Sequence, residues 1–142
     1  MKNVFFALLA TVLAACAAGH GDGLEILDLR VRPPLPGANA AVAYMRIVNH
    51  SAVDTEISAI SSSRFGAAEI HLSSIDNGIA SMRKLERLAV PAGGSIEFRP
   101  GSYHVMLFRP DPDLAPGQEV SIRLEYDDNK QATAFAILGE GF

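Results

Sequence analysis

Turn-forming residues recur along this sequence, and the runs between them show no convincing amphipathic helix after the first 23 positions. Pro33-Pro34-Leu35-Pro36-Gly37, Asp76-Asn77-Gly78, Pro91-Ala92-Gly93-Gly94, Pro100-Gly101 and Asp127-Asp128-Asn129 all punctuate it. A loop across 109–117 holds Pro110, Pro112 and Pro116. Proline removes an amide donor and fixes φ, so helix interiors and central strands reject such stretches. The runs left over are of strand length: 24–31, 40–49, 55–61, 67–72, 79–85, 95–98, 103–108, 119–126 and 131–137. Alternation is clearest over 119–126, where Val120, Ile122, Leu124 and Tyr126 share one face. About nine short strands with turns between them predict an all-β antiparallel sandwich or barrel. At 142 residues the chain holds one such domain, and 49% hydrophobic content is enough to fill its core.

The first 23 positions read differently. Met1-Lys2-Asn3 and the apolar stretch 4–14 have the length and charge of an export signal, too short to span a bilayer as a helix. Leu13-Ala14-Ala15-Cys16 resembles the lipobox of bacterial lipoproteins. That resemblance implies a signal peptide over 1–15, cleavage before Cys16 and lipid on its sulfur. It places the mature chain in the bacterial cell envelope, on the periplasmic face of a membrane. Ala17 after the cysteine resembles an outer-membrane sorting signal. Residues 16–23 form a flexible Gly-rich tether, and 24–142 form the domain. Cys16 is the only cysteine, so an intramolecular disulfide, a CxxC redox pair and a blue-copper thiolate are all excluded. The net charge of −4, with no basic run, gives a nucleic-acid backbone nothing to grip.

Four residues carry the chemistry. In Glu69-Ile70-His71-Leu72, strand parity sends Ile70 and Leu72 to the core and His71 with Glu69 outward. In Tyr103-His104-Val105-Met106-Leu107, parity sends His104 and Met106 to the same side. Their Cα atoms are then roughly 6.6 Å apart, within reach of one ion. Met82 lies in the intervening strand. Two imidazoles and two thioethers form a neutral, soft donor set, and Cu(I) is the ion that favours it. Zinc prefers thiolate, imidazole or carboxylate, and calcium and magnesium want oxygens. One Cu(I) per chain is therefore expected at His71, Met82, His104 and Met106. Glu69 shares the face of His71 and is a candidate hydrogen-bond partner for its ring. Met45 reads as core, with a supporting place near the metal as the alternative. His50 reads as a surface turn residue and His20 as a solvated tether residue.

The order His71-x10-Met82-x21-His104-x-Met106 resembles the signature of the PCu(A)C-type periplasmic copper chaperones. Ala43-Tyr44-Met45 with Ile47-Val48-Asn49, Val90-Pro91-Ala92-Gly93-Gly94, and Pro100-Gly101-Ser102-Tyr103-His104-Val105-Met106-Leu107 resemble further segments of that family. Ser102 stands where the last of these has glycine, and Leu72 stands where many members have methionine. The resemblance covers about 24–137. It implies a cupredoxin-like β-sandwich with Greek-key connections. It also implies a carrier that delivers Cu(I) by ligand exchange, chiefly for assembly of respiratory cytochrome oxidase copper centres. The recipient would be an oxidase subunit or another metallochaperone. Without a His/Met-rich extension after Phe142, a single site is implied.

Two other classes compete. A metal-free immunoglobulin-like scaffold lipoprotein of the envelope fits the strand pattern but leaves the ligand spacing without a reason. An enzyme is not expected: no Ser-His-Asp order, paired acid set or phosphate loop is evident, and a saturated two-His, two-Met site offers no open coordination position.

Overall fold

The structure, a computed structural model, describes residues 22–127 and 129–142. The expected signal peptide, Cys16 and His20 lie outside these residues. Ten strands follow one another: β1 (Leu24–Arg32), β2 (Ala40–Asn49), β3 (Thr55–Ser62), β4 (Phe65–Asp76), β5 (Ile79–Leu85), β6 (Leu88–Val90), β7 (Ser95–Phe98), β8 (Tyr103–Pro110), β9 (Glu119–Tyr126) and β10 (Lys130–Ile137). Among the described residues there is no helix. The strand the sequence did not announce is β6, three residues long, too short to show a period.

Two sheets face each other. One has the order β1-β2-β7-β8-β4-β5, the other β10-β9-β3-β6. The chain crosses between them after β2, β3, β5, β6 and β8, so most sequence neighbours sit in opposite layers, as Greek-key connections require. At one corner the layers meet through a parallel bridge from Val31 to Leu138. This is the expected cupredoxin-like sandwich.

Alternation sets the core. Ala41, Ala43, Met45 and Ile47 of β2 point inward, as do Val105 and Leu107 of β8. Across the interface they meet Val120, Ile122 and Leu124 of β9 and Ile57 of β3. Each of these is at most 3% exposed, and burial of one of the Val, Ile, Leu or Met side chains contributes about 1.5–3 kcal/mol. One buried polar residue is fully engaged. Asn49 donates from Nδ2 to the carbonyls of Val53 (2.9 Å) and Val90 (3.0 Å). Its Oδ1 accepts from the amide of Ser51 (3.0 Å) and from Ser51 Oγ (2.7 Å). It thereby pins the loop after β2 to β6.

Strand β4 runs to Asp76, well past the expected end near position 72, because the Asn77-Gly78 turn sustains its pairing with β5. Asn77 and Gly78 both have positive φ, at 49° and 78°. That is the two-residue hairpin turn whose twist matches the flanking strands. Asp76 faces Ile79, and the ladder continues to Ile70 opposite Leu85. Strand β5 is the edge of its sheet.

Candidate metal centre

Three strands, β8, β4 and β5 in that spatial order, build the site on the outer face of the larger sheet. The register does most of the positioning. His71 of β4 pairs directly with His104 of β8, and Glu69 pairs with Met106. On the other side of β4, His71 pairs with Lys84 and Ser73 with Met82. Since residues opposite each other share a face, Glu69, His71, Ser73, Met82, Lys84, His104 and Met106 all stand on one surface. The expected parity holds. Ile70, Val105 and Leu107 are buried on the inner face, while Leu72 and Tyr103 are only half-buried near the end of the sheet.

The side chains converge. The rings of His71 and His104 lie with centroids 5.8 Å apart, tilted by 55°. Met82 reaches across β4 to place its Sδ 3.1 Å from His104 Nε2. Phe108 walls the far side of His71, with ring centroids 6.5 Å apart. Met106 is half-buried on the same face, one strand pair along from His104. His104 itself is only 7% exposed although it points away from the core, because its neighbours cover it. Met82 is 54% exposed and forms the open rim.

Hydrogen bonds fix both imidazoles. His104 Nδ1 donates to the Ser102 carbonyl at 3.0 Å, and the same carbonyl accepts the Ser73 amide at 3.1 Å. His71 Nε2 donates to Glu69 Oε2 at 2.9 Å. Glu69 Oε1 also lies 3.5 Å from Lys84 Nζ, which in turn lies 3.3 Å from Glu86. The hydrogen bond from His71 is the main reason the Glu69 carboxyl is held below its ordinary range. Burial opposes the shift and the Lys84 ammonium adds to it.

Two features fit a soft cation. His71 Nδ1 is buried with no hydrogen-bond partner, and an unpartnered buried polar atom is costly in a protein interior. His104 Nε2, with its ring proton committed at Nδ1, presents a lone pair to a thioether that offers another lone pair. Two lone pairs facing each other with no hydrogen between them suit a soft cation. Harder ions find less. Among the described residues no group of three His, Cys, Asp or Glu side chains is disposed to hold a metal.

The other residues considered from sequence fall elsewhere. Met45 is 3% exposed, pairs with Phe98 and lies in the core on the inner face, away from the face that carries His71 and His104, so the alternative of a supporting place there does not hold. His50 is bound to Glu25 at 2.6 Å beyond the end of β2 and takes no part in the group. Lys84 and the Ser102 carbonyl were not anticipated. Counting back from the two-residue turn at Asn77-Gly78 would have placed Lys84 opposite His71. The carbonyl left no signal in side-chain identity.

The LpqE-like family model, "Putative lipoprotein LpqE-like", matches residues 24–136. The chain belongs to that family. A relative from Rickettsia prowazekii, "Uncharacterized protein RP573", is 35% identical over 95 residues, which are 66% of this chain and 52% of that protein. The match thus spans about half of that relative's length. Among solved structures, the fold is that of "Apo PCuAC domain from PmoF1", with TM-score 0.63 and 21% identity over 81% of this chain and 92% of that one. It is also that of "CuI-DR1885" from Deinococcus radiodurans, with TM-score 0.61 and 22% identity over 84% and 77%. The PCu(A)C-type resemblance read from the sequence is therefore matched by the architecture.

Proposed function

We propose that this LpqE-like chain is a copper carrier of the cell envelope that binds one Cu(I) through His71, Met82, His104 and Met106. The observation that carries the reading is the 3.1 Å approach of His104 Nε2 to Met82 Sδ, from strands that are not neighbours, beside the unpartnered His71 Nδ1. Solved relatives of the same fold include "Copper-bound PCuAC domain from PmoF2", at 20% identity. Neutral ligands match a monovalent ion that needs no charge compensation, and thioethers survive in an oxidising compartment where thiolates are lost.

Delivery by ligand exchange follows from exposure. His71 and His104 are sheltered, while Met82 on the edge strand is open. A receiving protein can offer a donor at that rim as Met82 lets go, so the ion need never enter water. The chain acts as a carrier rather than an enzyme, because four ligands leave no position for substrate. Lipid on Cys16 would hold it at a membrane, in keeping with the lipoprotein description of its family. The recipient is a copper-receiving protein such as a cytochrome oxidase subunit or another metallochaperone.

Anaerobic titration with Cu(I) against a competing chelator tests the binding claim. Wild type should take up one equivalent tightly, and Met106→Ala should lose most of that affinity. Preferential uptake of Zn(II) or Ca(II) over Cu(I) would refute it.

A further inference from the structure

The two histidines are held by opposite nitrogens. His104 donates its Nδ1 proton to the Ser102 carbonyl, leaving Nε2 as the lone pair beside Met82. His71 donates its Nε2 proton to Glu69, leaving Nδ1 as the lone pair, buried and unpartnered. A neutral imidazole has one donor and one acceptor nitrogen, and the hydrogen bond made by one dictates which the other is. Both arrangements are braced from outside the ring. The Ser102 carbonyl is itself fixed by the Ser73 amide. Glu69 is tied through its second oxygen to Lys84, which stands directly opposite His71 on β5.

From this we infer that Glu69 is a positioning residue that selects Nδ1 of His71 as its copper donor, so that the ion meets Nδ1 of one histidine and Nε2 of the other. The inference rests on the copper-carrier reading and adds the donor atoms and the residue that chooses one of them. Glu69 does not touch the ion in this arrangement. It holds a proton on Nε2, which keeps that nitrogen out of the coordination sphere and raises the donor strength of the opposite one. Lys84 has a second effect on specificity. By engaging the carboxylate together with His71, it keeps Glu69 from turning inward as an oxygen ligand, which would convert the soft set into one that suits Zn(II).

The test is nitrogen NMR on protein labelled with 15N-histidine, first without metal and then with one equivalent of Cu(I) under argon. Cu(I) is diamagnetic, so both states can be read. In the metal-free protein His71 should be protonated at Nε2 and His104 at Nδ1. Copper should shift His71 Nδ1 and His104 Nε2 while those protons stay in place. Glu69→Ala should mix the two His71 tautomers and weaken Cu(I) binding about tenfold. Glu69→Gln, whose amide oxygen still accepts the Nε2 proton, should restore most of both. Copper on Nε2 of His71, or a single unchanged tautomer and affinity in Glu69→Ala, would overturn the assignment while leaving the carrier reading intact. Failure of copper to move any histidine nitrogen would sink the carrier reading and this inference together. Should Glu69→Ala fail to fold, the wild-type spectra alone decide which nitrogen binds.

Discussion

Met82 and His104 touch across an intervening strand: the methionine sulfur on β5 lies 3.1 Å from the Nε2 of the histidine on β8, with β4 between them. Neither residue is needed to fill the core. Met82 is more than half exposed, and His104 faces away from the packed interior. A contact so placed is a matter of function more than of stability, and substitution can separate the two.

Met82→Ala should therefore lower the melting temperature little, within about 0.5 kcal/mol of wild-type stability, as for surface substitutions generally. Its Cu(I) affinity should fall at least tenfold. Thermal unfolding of the metal-free protein alongside a chelator competition measures both. Equal copper affinity in variant and wild type would remove Met82 from the site.

The hairpin turn holds Met82 in register. Gly78 has φ of 78°, a conformation costing about 1–2 kcal/mol for a residue with a β-carbon. Gly78→Val should destabilise the hairpin by about that amount. It should also weaken copper binding, although position 78 lies far along the strand from His71. Hydrogen exchange of the β4–β5 amides would show the loosening directly.

Asn49 predicts a purely structural loss. Asn49→Ala strands the amide of Ser51 and takes a donor from the carbonyls of Val90 and Val53, the latter still accepting from Ser51 Oγ. The expected cost is about 2–4 kcal/mol, since buried groups left unpaired lose their full desolvation energy. Urea unfolding should report it. Copper affinity in the folded fraction should stay unchanged, because the loop lies away from His71 and His104.

Glu69 gives a pH dependence with a definite sign. Its carboxyl is held below the ordinary value of 4.5, first by the hydrogen bond from His71 and then by Lys84, against the cost of burial. A carboxylate with a depressed folded value stabilises the fold above the unfolded value and loses that contribution as pH falls through the folded one. Wild type should therefore exceed Glu69→Gln in melting temperature near neutrality, and the gap should close below about pH 4.5. A gap that stays constant from neutral to acid pH would show that the carboxylate charge does not act on stability. Lys84 shifts the other way, raised chiefly by its bond to Glu86 and then by Glu69, so its contribution is lost only as pH rises above its ordinary value.

The strands, the turns and the candidate set of His71, Met82, His104 and Met106 were legible along the chain. Period-two alternation and turn chemistry are local, and they placed 119–126 and the Asn77-Gly78 turn correctly. Parity along a strand is equally local, which is why the outward direction of His71, His104 and Met106 could be read in advance. What needed the tertiary structure was every relation between strands. Only the pairing of β4 with both β8 and β5 puts His71 opposite His104, brings Lys84 to Glu69 and lets Met82 reach over. Met45, on β2 opposite Phe98 of β7, faces the core and not the surface that carries His71 and His104. The choice of a ring nitrogen also needed the folded side chains. It depends on a carboxylate and a backbone carbonyl that each lie only two residues away along the chain, and residue types alone do not encode which ring nitrogen comes within hydrogen-bond distance of them once the side chains are packed.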